Sequence, residues 1–341
     1  MKILLISPTS SGIGGIAQHV QGLSNFLINN DHEVEIISSE NTFTIPIKGL
    51  KNPSFMISSF LKTKFKKNFD IVHAHNIPSA LAMKNSSGKK ILTIHGIFSE
   101  QIDQLHGKTI GNISKKYEKD ALSWADTITV VSKDAFNHYT YLGYQVFQIP
   151  NAIDISSFSL NEDRRYEKQI IFAGRLSNEK GIDCLMDIGK KLSNDTHLLI
   201  LGSGPEEKKI KEFSEKQKNI HFLGYQDKEK TISLIHGSDI LIQPSLNEGI
   251  SSTILEAMMC KTLTITTNIG GNKELIKDNE TGFLVSSNSS NTFLEKIEYV
   301  LSNQSKAKSI TNNAFRYVQQ YDWNVIGKKY LKVYENLLKE I

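Results

Sequence analysis

Short apolar runs, each about the length of one buried strand, recur through this sequence in two series. The first is KILLIS (2–7), EVEIIS (33–38), DIVHAH (70–75), KILTIHG (90–96) and TITVVS (127–132). The second is QIIFAG (169–174), HLLILG (197–202), NIHFLG (219–224), DILIQPS (239–245) and TLTITT (262–267). Apolar runs bounded by loops mark strands covered on both faces, which is the signature of parallel sheets. Helix-period segments such as IAQHVQGLSNFLINN (16–30) fill the intervals. Parallel strands need such crossovers, so the expected class is α/β, with helices on both sheet faces.

A chain of 341 residues suits two domains of roughly 150–170 residues each. Expected boundaries are residues 1–160 and 168–320, with a tail of about 321–341. The charged stretch NEDRRYEK (161–168) reads as a hinge or linker. Two tandem α/β halves, each opening with a strand and a Gly-containing loop, predict a cleft between them. The tail YDWNVIGKKYLKVYENLLKE reads as an amphipathic helix, with Val325, Ile326, Tyr330, Leu331, Val333, Tyr334, Leu337 and Leu338 near one stripe.

Several classes are excluded. With 39% hydrophobic residues the chain can bury substantial cores, so disorder is not expected. No run reaches 18 apolar residues, and the apolar part of MKILLISPTSSG is too short for a signal peptide. Cys184 and Cys260, the two cysteines, are far apart, which excludes a disulfide scaffold and a Cys-based zinc site. A cytoplasmic location follows as the expectation. A net charge of +4, from 40 basic and 36 acidic residues, does not point to nucleic acid.

The loop after the first strand holds Gly12, Gly14 and Gly15, and with Ala17 it matches G-x-G-x-x-A, with Glu40 at the end of the second strand. That reading is a dinucleotide site and a dehydrogenase. Pro8-Thr9-Ser10-Ser11, however, separates strand from glycines where the fingerprint needs an immediate tight turn. The favoured reading is a glycine loop whose N–H groups, at a helix N-terminus, approach an anionic ligand. His73, His75 and His95 fall at candidate strand ends, where open α/β sheets place ligands. No HExxH or nearby cysteine supports zinc there. His73 reads as structural, and His95, followed by Gly96, is the stronger site candidate.

In the second half, Gly174-Arg175-Leu176-Ser177-Asn178-Glu179-Lys180-Gly181 follows a strand and precedes a helix. A guanidinium, an ammonium and a helix N-terminus together suit a diphosphate. The segment PSLNEGISSTILEA (244–257) carries Glu248 and Glu256 with seven residues between them. If a helix begins near Ser251 or Ser252, Glu248 sits in the loop at its mouth and Glu256 about one turn inside. Two such carboxylates can take hydroxyls from different parts of one extended ligand.

With these residues the sequence resembles the GT-B glycosyltransferases of family 4, the large retaining group, over nearly its whole length. AGRLSNEKG and the E-x7-E pair in PSLNEGISSTILEAM are the most specific pieces. Gly14-Gly15, TIHG, IPNAID (149–154), LGSGP (201–205), IGGNKELI and ETGFLV add to them. The chain departs from the usual pattern at Lys261 and Leu263 in CKTLTI and in Asn151-Ala152-Ile153-Asp154.

The resemblance implies two Rossmann-like domains with parallel sheets facing across a cleft. It implies a nucleotide diphosphate sugar, UDP- more than GDP-linked, on the second domain. Arg175 and Lys180 would hold the diphosphate, Glu256 the ribose and Glu248 the sugar. The amides of Gly249, Ile250, Ser251 and Ser252 would assist, with Gly174, Gly14 and Gly15 near the donor and His95 at the reacting centre. The first domain would take the acceptor, and the last helix would cross back to it. The implied activity is retaining transfer of a hexose or N-acetylhexosamine, without metal or other cofactor, to a hydroxyl on a glycan or lipid-linked precursor. The alternative is a non-catalytic nucleotide-sugar-binding or regulatory protein on the same scaffold.

Residues 41–69 hold Lys48, Lys51, Lys62, Lys64, Lys66 and Lys67 and no acid. PSFMISSFLKTKFKKNF (53–69) mixes these lysines with Phe55, Met56, Ile57, Phe60, Leu61 and Phe65, as an interfacial basic helix does. It could dock the protein on an anionic membrane surface, at the inner face. A helix packed before the next strand, basic on its exposed side, is the plainer alternative.

Overall fold

The apolar runs become two all-parallel six-stranded sheets. In a computed structural model, the backbone is described for all residues except 13, 48, 67, 99–107, 159, 160, 287, 288, 340 and 341; the side chains of 108–113 and 157 are also not described. Among the described residues two units form, Met1–Ala152 with Trp323–Ile341, and Ile153–Asp322.

The first sheet contains β1 (Lys2–Ser7), β2 (Glu33–Ser38), β3 (Ile71–His75), β4 (Lys89–Ile94), β5 (Thr127–Val130) and β6 (Val146–Gln148), in the order β2-β1-β3-β4-β5-β6. The second contains β7 (Lys168–Ala173), β8 (Thr196–Leu201), β9 (Ile220–Gly224), β10 (Ile240–Gln243), β11 (Leu263–Thr267) and β12 (Phe283–Val285), in the order β12-β11-β10-β7-β8-β9. Every expected strand is present. The two additions, β6 and β12, are three-residue edge strands. An edge strand pairs on one side only, so neither needs a long apolar run to sit there.

Period two sorts each sheet into two faces. On the second, Ile170, Phe172, Leu198 and Ile200 join one core, while Ile171, Ala173, Leu199 and Leu201 join another. On the first, Leu4, Ile6, Val72 and Ala74 face one way and Ile3, Leu5 and Ile71 the other. The helix Trp323–Lys339 covers this second face with Trp323, Ile326, Tyr330, Tyr334 and Leu337. It locks onto the helix Gly15–Ile28 through two glycines. A Cβ at Gly22 would stand 2.0 Å from Trp323 Nε1, and one at Gly327 would stand 2.3 Å from Phe26 Cδ1. Val325 does not belong to the buried stripe and is 43% exposed. It sits one residue before Ile326, about 100° around the helix, and turns away from the sheet.

The stretch 161–168 is not a loose hinge. Arg164 Nη2 donates to both carboxylate oxygens of Asp239 at 2.9 Å, and its Nη1 reaches the Gly237 carbonyl at 3.3 Å. Asp163 takes Arg165 at 3.1 Å and Lys230 at 2.7 Å. Its charges thus fasten the segment to the second unit.

Candidate functional site

In the second sheet β7 and β10 lie side by side, yet the chain leaves β7 toward β8 and β9, and leaves β10 toward β11 and β12. Loops at such a reversal point diverge beyond the strand ends and leave a crevice, where open α/β sheets hold ligands. The sequence places its candidates in those two loops. After β7 come Gly174 and an exposed Arg175, then a short 3₁₀ turn, Asn178–Lys180, before the helix Ile182–Lys191. After β10 comes Pro244–Gly249, and then the helix Ser252–Met259.

The two loops are tied together. Leu246 N donates to Glu179 O at 2.8 Å, and Thr267 Oγ1 donates to Ser245 O at 2.6 Å. The turn after β11 supports the loop from the other side, with Gly271 N on Glu248 O at 3.0 Å. Gly270 sits at φ +41, and a Cβ there would stand 2.1 Å from Glu248 O. Gly181 sits at φ +71, with a Cβ position 1.9 Å from Pro244 O. Only glycine permits both the left-handed backbone and these approaches. The loop carrying Glu248 is therefore fixed by backbone contacts.

Ser251 caps the helix Ser252–Met259, its Oγ accepting from Ile254 N at 3.4 Å, so the helix begins where the spacing predicts. Ile250 and Ser251 are buried. Glu256, one turn in, is 4% exposed. Lys180 Nζ and Glu248 Oε2 form an ion pair, and Ser245 Oγ donates to the same oxygen at 3.1 Å. The pair is mostly shielded, with side-chain exposures of 21% for Lys180 and 12% for Glu248. Among the described residues Arg175 has no ion-pair partner. The crevice thus joins a free guanidinium, an ammonium shared with a carboxylate, a helix N-terminus and a second, buried carboxylate. That set can bind an anion and several hydroxyls at once.

In the first unit the reversal lies between β1 and β3. Gly14 caps the helix Gly15–Ile28 in an extended conformation, and a Cβ at Gly12, Gly14 or Gly15 would meet nothing within 4 Å. The glycine loop is open to an approaching ligand, but it is tethered. Thr9 Oγ1 donates to Glu40 Oε1 at 2.9 Å, and Ser10 N donates to Glu40 Oε2 at 3.1 Å. Burial opposes ionisation of Glu40, yet hydrogen bonds from Ser38, Thr9 and Ser10 outweigh it and bring its pKa down to about 2. Glu40 is occupied in holding the loop, which removes the acid that a dinucleotide fingerprint needs.

Under this end of the sheet four histidines gather. His73 is structural, its Nδ1 2.7 Å from Tyr334 Oη and its Nε2 2.6 Å from Thr93 Oγ1. His75 Nδ1 stands 3.3 Å from His95 Nε2. His19 adds its ring 4.8 Å from that of His95, with Nδ1 3.1 Å from Asn151 Oδ1. Burial pushes the pKa of His19 down to about 4, against the Asn151 hydrogen bond. Burial, then repulsion from neighbouring histidines, holds His73, His75 and His95 well below the ordinary range. Sequence reasoning misses His19 and Asn151. The available signal is that His19 follows Ile16 and precedes Val20 and Leu23 on the apolar stripe of its helix.

Comparisons with known proteins agree with this architecture. The family model described as Glycosyltransferase Family 4 matches residues 13–157, and that described as Glycosyl transferases group 1 matches residues 156–317. The chain is 24% identical to a phosphatidyl-myo-inositol mannosyltransferase of Mycolicibacterium smegmatis, over 99% of this chain and 94% of the other. Its fold is similar to that of a sucrose-phosphate synthase from Thermosynechococcus elongatus, with a TM-score of 0.84, 19% identity and full coverage of both chains. It is also similar to the Anabaena protein HepE in complex with UDP-glucose, with a TM-score of 0.77, 16% identity, and coverage of 98% of this chain and 100% of the other.

Proposed function

We propose a particular transfer for this chain, which belongs to the glycosyltransferases of family 4, group 1: movement of a hexose or N-acetylhexosamine, with retention, from a nucleotide diphosphate sugar to a hydroxyl acceptor. The observation that carries this reading is the Lys180–Glu248 ion pair at the reversal point of the second sheet, with Arg175 in the loop before Lys180 and Glu256 in the helix after Glu248. Breaking the anomeric C–O bond leaves negative charge on the departing diphosphate. Arg175, Lys180 and the N-terminus of Ser252–Met259 supply positive potential for it, without calling on a metal. Glu256 takes the ribose hydroxyls and Glu248 the sugar hydroxyls, and the amides of Gly249–Ser252 hold the sugar and phosphate. The family resemblance assigns His95, Gly14 and Gly15 of the first unit to the same reaction. A UDP-sugar is the favoured donor, in line with the UDP-glucose complex of the Anabaena protein; a GDP-sugar is the second choice.

The test is incubation with UDP- and GDP-sugars and hydroxyl acceptors, followed by NMR of the anomeric proton in the product. A glycoside with the donor's anomeric configuration is expected. Tight donor binding with no transfer or donor hydrolysis would instead establish the non-catalytic reading.

The acceptor is proposed to be a glycan or lipid-linked precursor reached at an anionic membrane surface. The helix Lys51–Lys64 buries Phe55, Ser59 and Thr63. Two residues further round, Ile57, Leu61 and Phe65 are 61%, 50% and 87% exposed, joined by Phe43 and Ile47. The helix thus packs inward through Phe55 with two hydroxyl residues and carries a second, exposed apolar stripe, which suits insertion among headgroups. Lys66 is paired with Glu35, and Lys62 Nζ donates to Asn41 O at 2.6 Å, so Lys51 and Lys64 are the lysines left to meet lipid phosphates. Lys48 and Lys67 lie outside the described residues. No helix among the described residues is long and apolar enough to cross a membrane. Docking at the cytoplasmic face is consistent with its anionic lipids. Sedimentation with phosphatidylserine-containing vesicles is expected at low salt and should fall several-fold in an Ile57→Ser/Leu61→Ser/Phe65→Ser variant. Absence of sedimentation at low salt would rule the docking out.

A further inference from the structure

His19, His75 and His95 are the one group of three metal-ligating side chains, among the described residues, whose ligand atoms all lie within 4.8 Å of one another. They come from three separate elements: the helix Gly15–Ile28, the last residue of β3, and the residue after β4. The transfer reading assigns His95 to the reacting centre but gives His19 and His75 no role.

The proton count of the cluster is unusual. With neutral rings, His75 Nδ1 and His95 Nε2, 3.3 Å apart, share one hydrogen bond in which one ring donates and the other accepts. That leaves His75 Nε2 and His95 Nδ1 holding one N–H and one lone pair between them. Both atoms are buried and neither makes a hydrogen bond among the described residues, although the Asn151 side chain also acts on the His95 ring. A metal between the two facing nitrogens, His75 Nδ1 and His95 Nε2, would leave both outer atoms as N–H groups, so it is the facing pair itself that bears on a metal. The 3.3 Å separation is also about the edge of a nitrogen tetrahedron around zinc, whose Zn–N bonds are about 2.0–2.1 Å.

We propose that His19, His75 and His95 form a binding site for a borderline divalent transition metal, Zn2+ foremost, with three imidazole ligands and an open fourth position. Buried, neutral imidazoles offer their lone pairs at neutral pH without first losing a proton. Asn151 Oδ1 accepts the Nδ1–H of His19 at 3.1 Å, which turns His19 Nε2 toward the cluster and fixes the ring as an outer-shell carbonyl does. Tyr330 Oη stands 3.2 Å from that Nε2, so its O–H competes with a metal for the same lone pair. His95 is only partly buried, which gives an ion a way in. Soft thiolates are absent from the set, and imidazole-only donors favour zinc over calcium or magnesium.

The test uses the full chain treated with chelator and titrated with Co2+ as a spectroscopic substitute for Zn2+. Expected is a saturable visible absorption band of the tetrahedral type at one equivalent, bleached by one equivalent of Zn2+. The band should be lost in His95→Gln and in His75→Gln, and retained in His138→Gln, a half-buried histidine outside the cluster. Tyr330→Phe should bind Co2+ at least as tightly as the parent. His95 is partly exposed, so its variant decides the matter if His75→Gln does not fold. A band that never saturates, or one that survives in His95→Gln, overturns the site. Neither donor nor acceptor enters this measurement, so its failure and that of the transfer reading are separate.

Discussion

Alanine at Lys180 is expected to lower turnover by about 10²–10³-fold, the usual cost of deleting one group that stabilises developing negative charge. The structure adds a second, separable effect on binding. Lys180 Nζ is the ion-pair partner of Glu248, whose side chain is only 12% exposed. Removing the ammonium leaves a shielded carboxylate without its counter-charge, at the place where the diphosphate is proposed to bind. Lys180→Ala should therefore weaken donor binding by repulsion as well as slow transfer. The double variant Lys180→Ala/Glu248→Gln should regain part of the lost binding but none of the lost turnover. Glu256→Ala is expected to act differently, weakening nucleotide affinity about 10–100-fold through loss of charge-assisted hydrogen bonds to hydroxyls. Titration calorimetry with donor and with free nucleotide, beside steady-state kinetics, separates these effects. If the double variant binds no better than Lys180→Ala, Glu248 exerts no repulsion on the donor; if Lys180→Ala turns over normally, Lys180 is not the leaving-group cation.

The sequence makes some of this arrangement legible and conceals the rest, for physical reasons. Strands such as KILLIS and HLLILG are readable because burial on both faces demands a continuous apolar run, and the cap at Ser251 is readable because a hydroxyl before an apolar helix has few other uses. The edge strands β6 and β12 escape because pairing on one side imposes little on three residues. The Lys180–Glu248 pair also escapes: the residues are 68 apart in sequence, and their contact depends on Gly181 lying against Pro244 and Gly270 against Glu248. Gly181 and Gly270 read as ordinary loop glycines until the backbones that fill the place of their missing Cβ atoms are seen. His19 escapes for a similar reason. One polar residue on an apolar helical stripe says nothing of its partners, which here come from β3, β4 and the Asn151 loop. NEDRRYEK misleads in the opposite direction, because charge reads as exposure and its ion pairs with Asp239 and Lys230 are formed across long separations.

The buried histidines set the largest expected effect of pH. In chelator-treated protein the first unit should lose stability as pH falls from about 6.5 toward 4, while remaining insensitive to pH between 7 and 8. The sign follows from the lowered pKa values. Above 6.5 both folded and unfolded chains carry neutral imidazoles, so folding bears no proton cost. Below 6.5 the unfolded chain takes up protons that the buried rings refuse, and unfolding is favoured until the folded pKa is reached. For His19, lowered to about 4 by burial, the loss amounts to roughly 3 kcal/mol at the acid end. His73, His75 and His95 are shifted in the same direction and add to it. A domain commonly has about 5–15 kcal/mol in total, so the His19 contribution alone is a large share of it, and the other three rings act in the same direction. Both tryptophans, Trp124 and Trp323, belong to the first unit, so intrinsic fluorescence follows that unit alone. The fluorescence melting temperature should drop steeply between pH 6.5 and 4.5, and His19→Gln should make the drop shallower by removing one proton acceptor from the unfolded chain. A melting temperature that holds level across that range would show that these rings are not held neutral by burial.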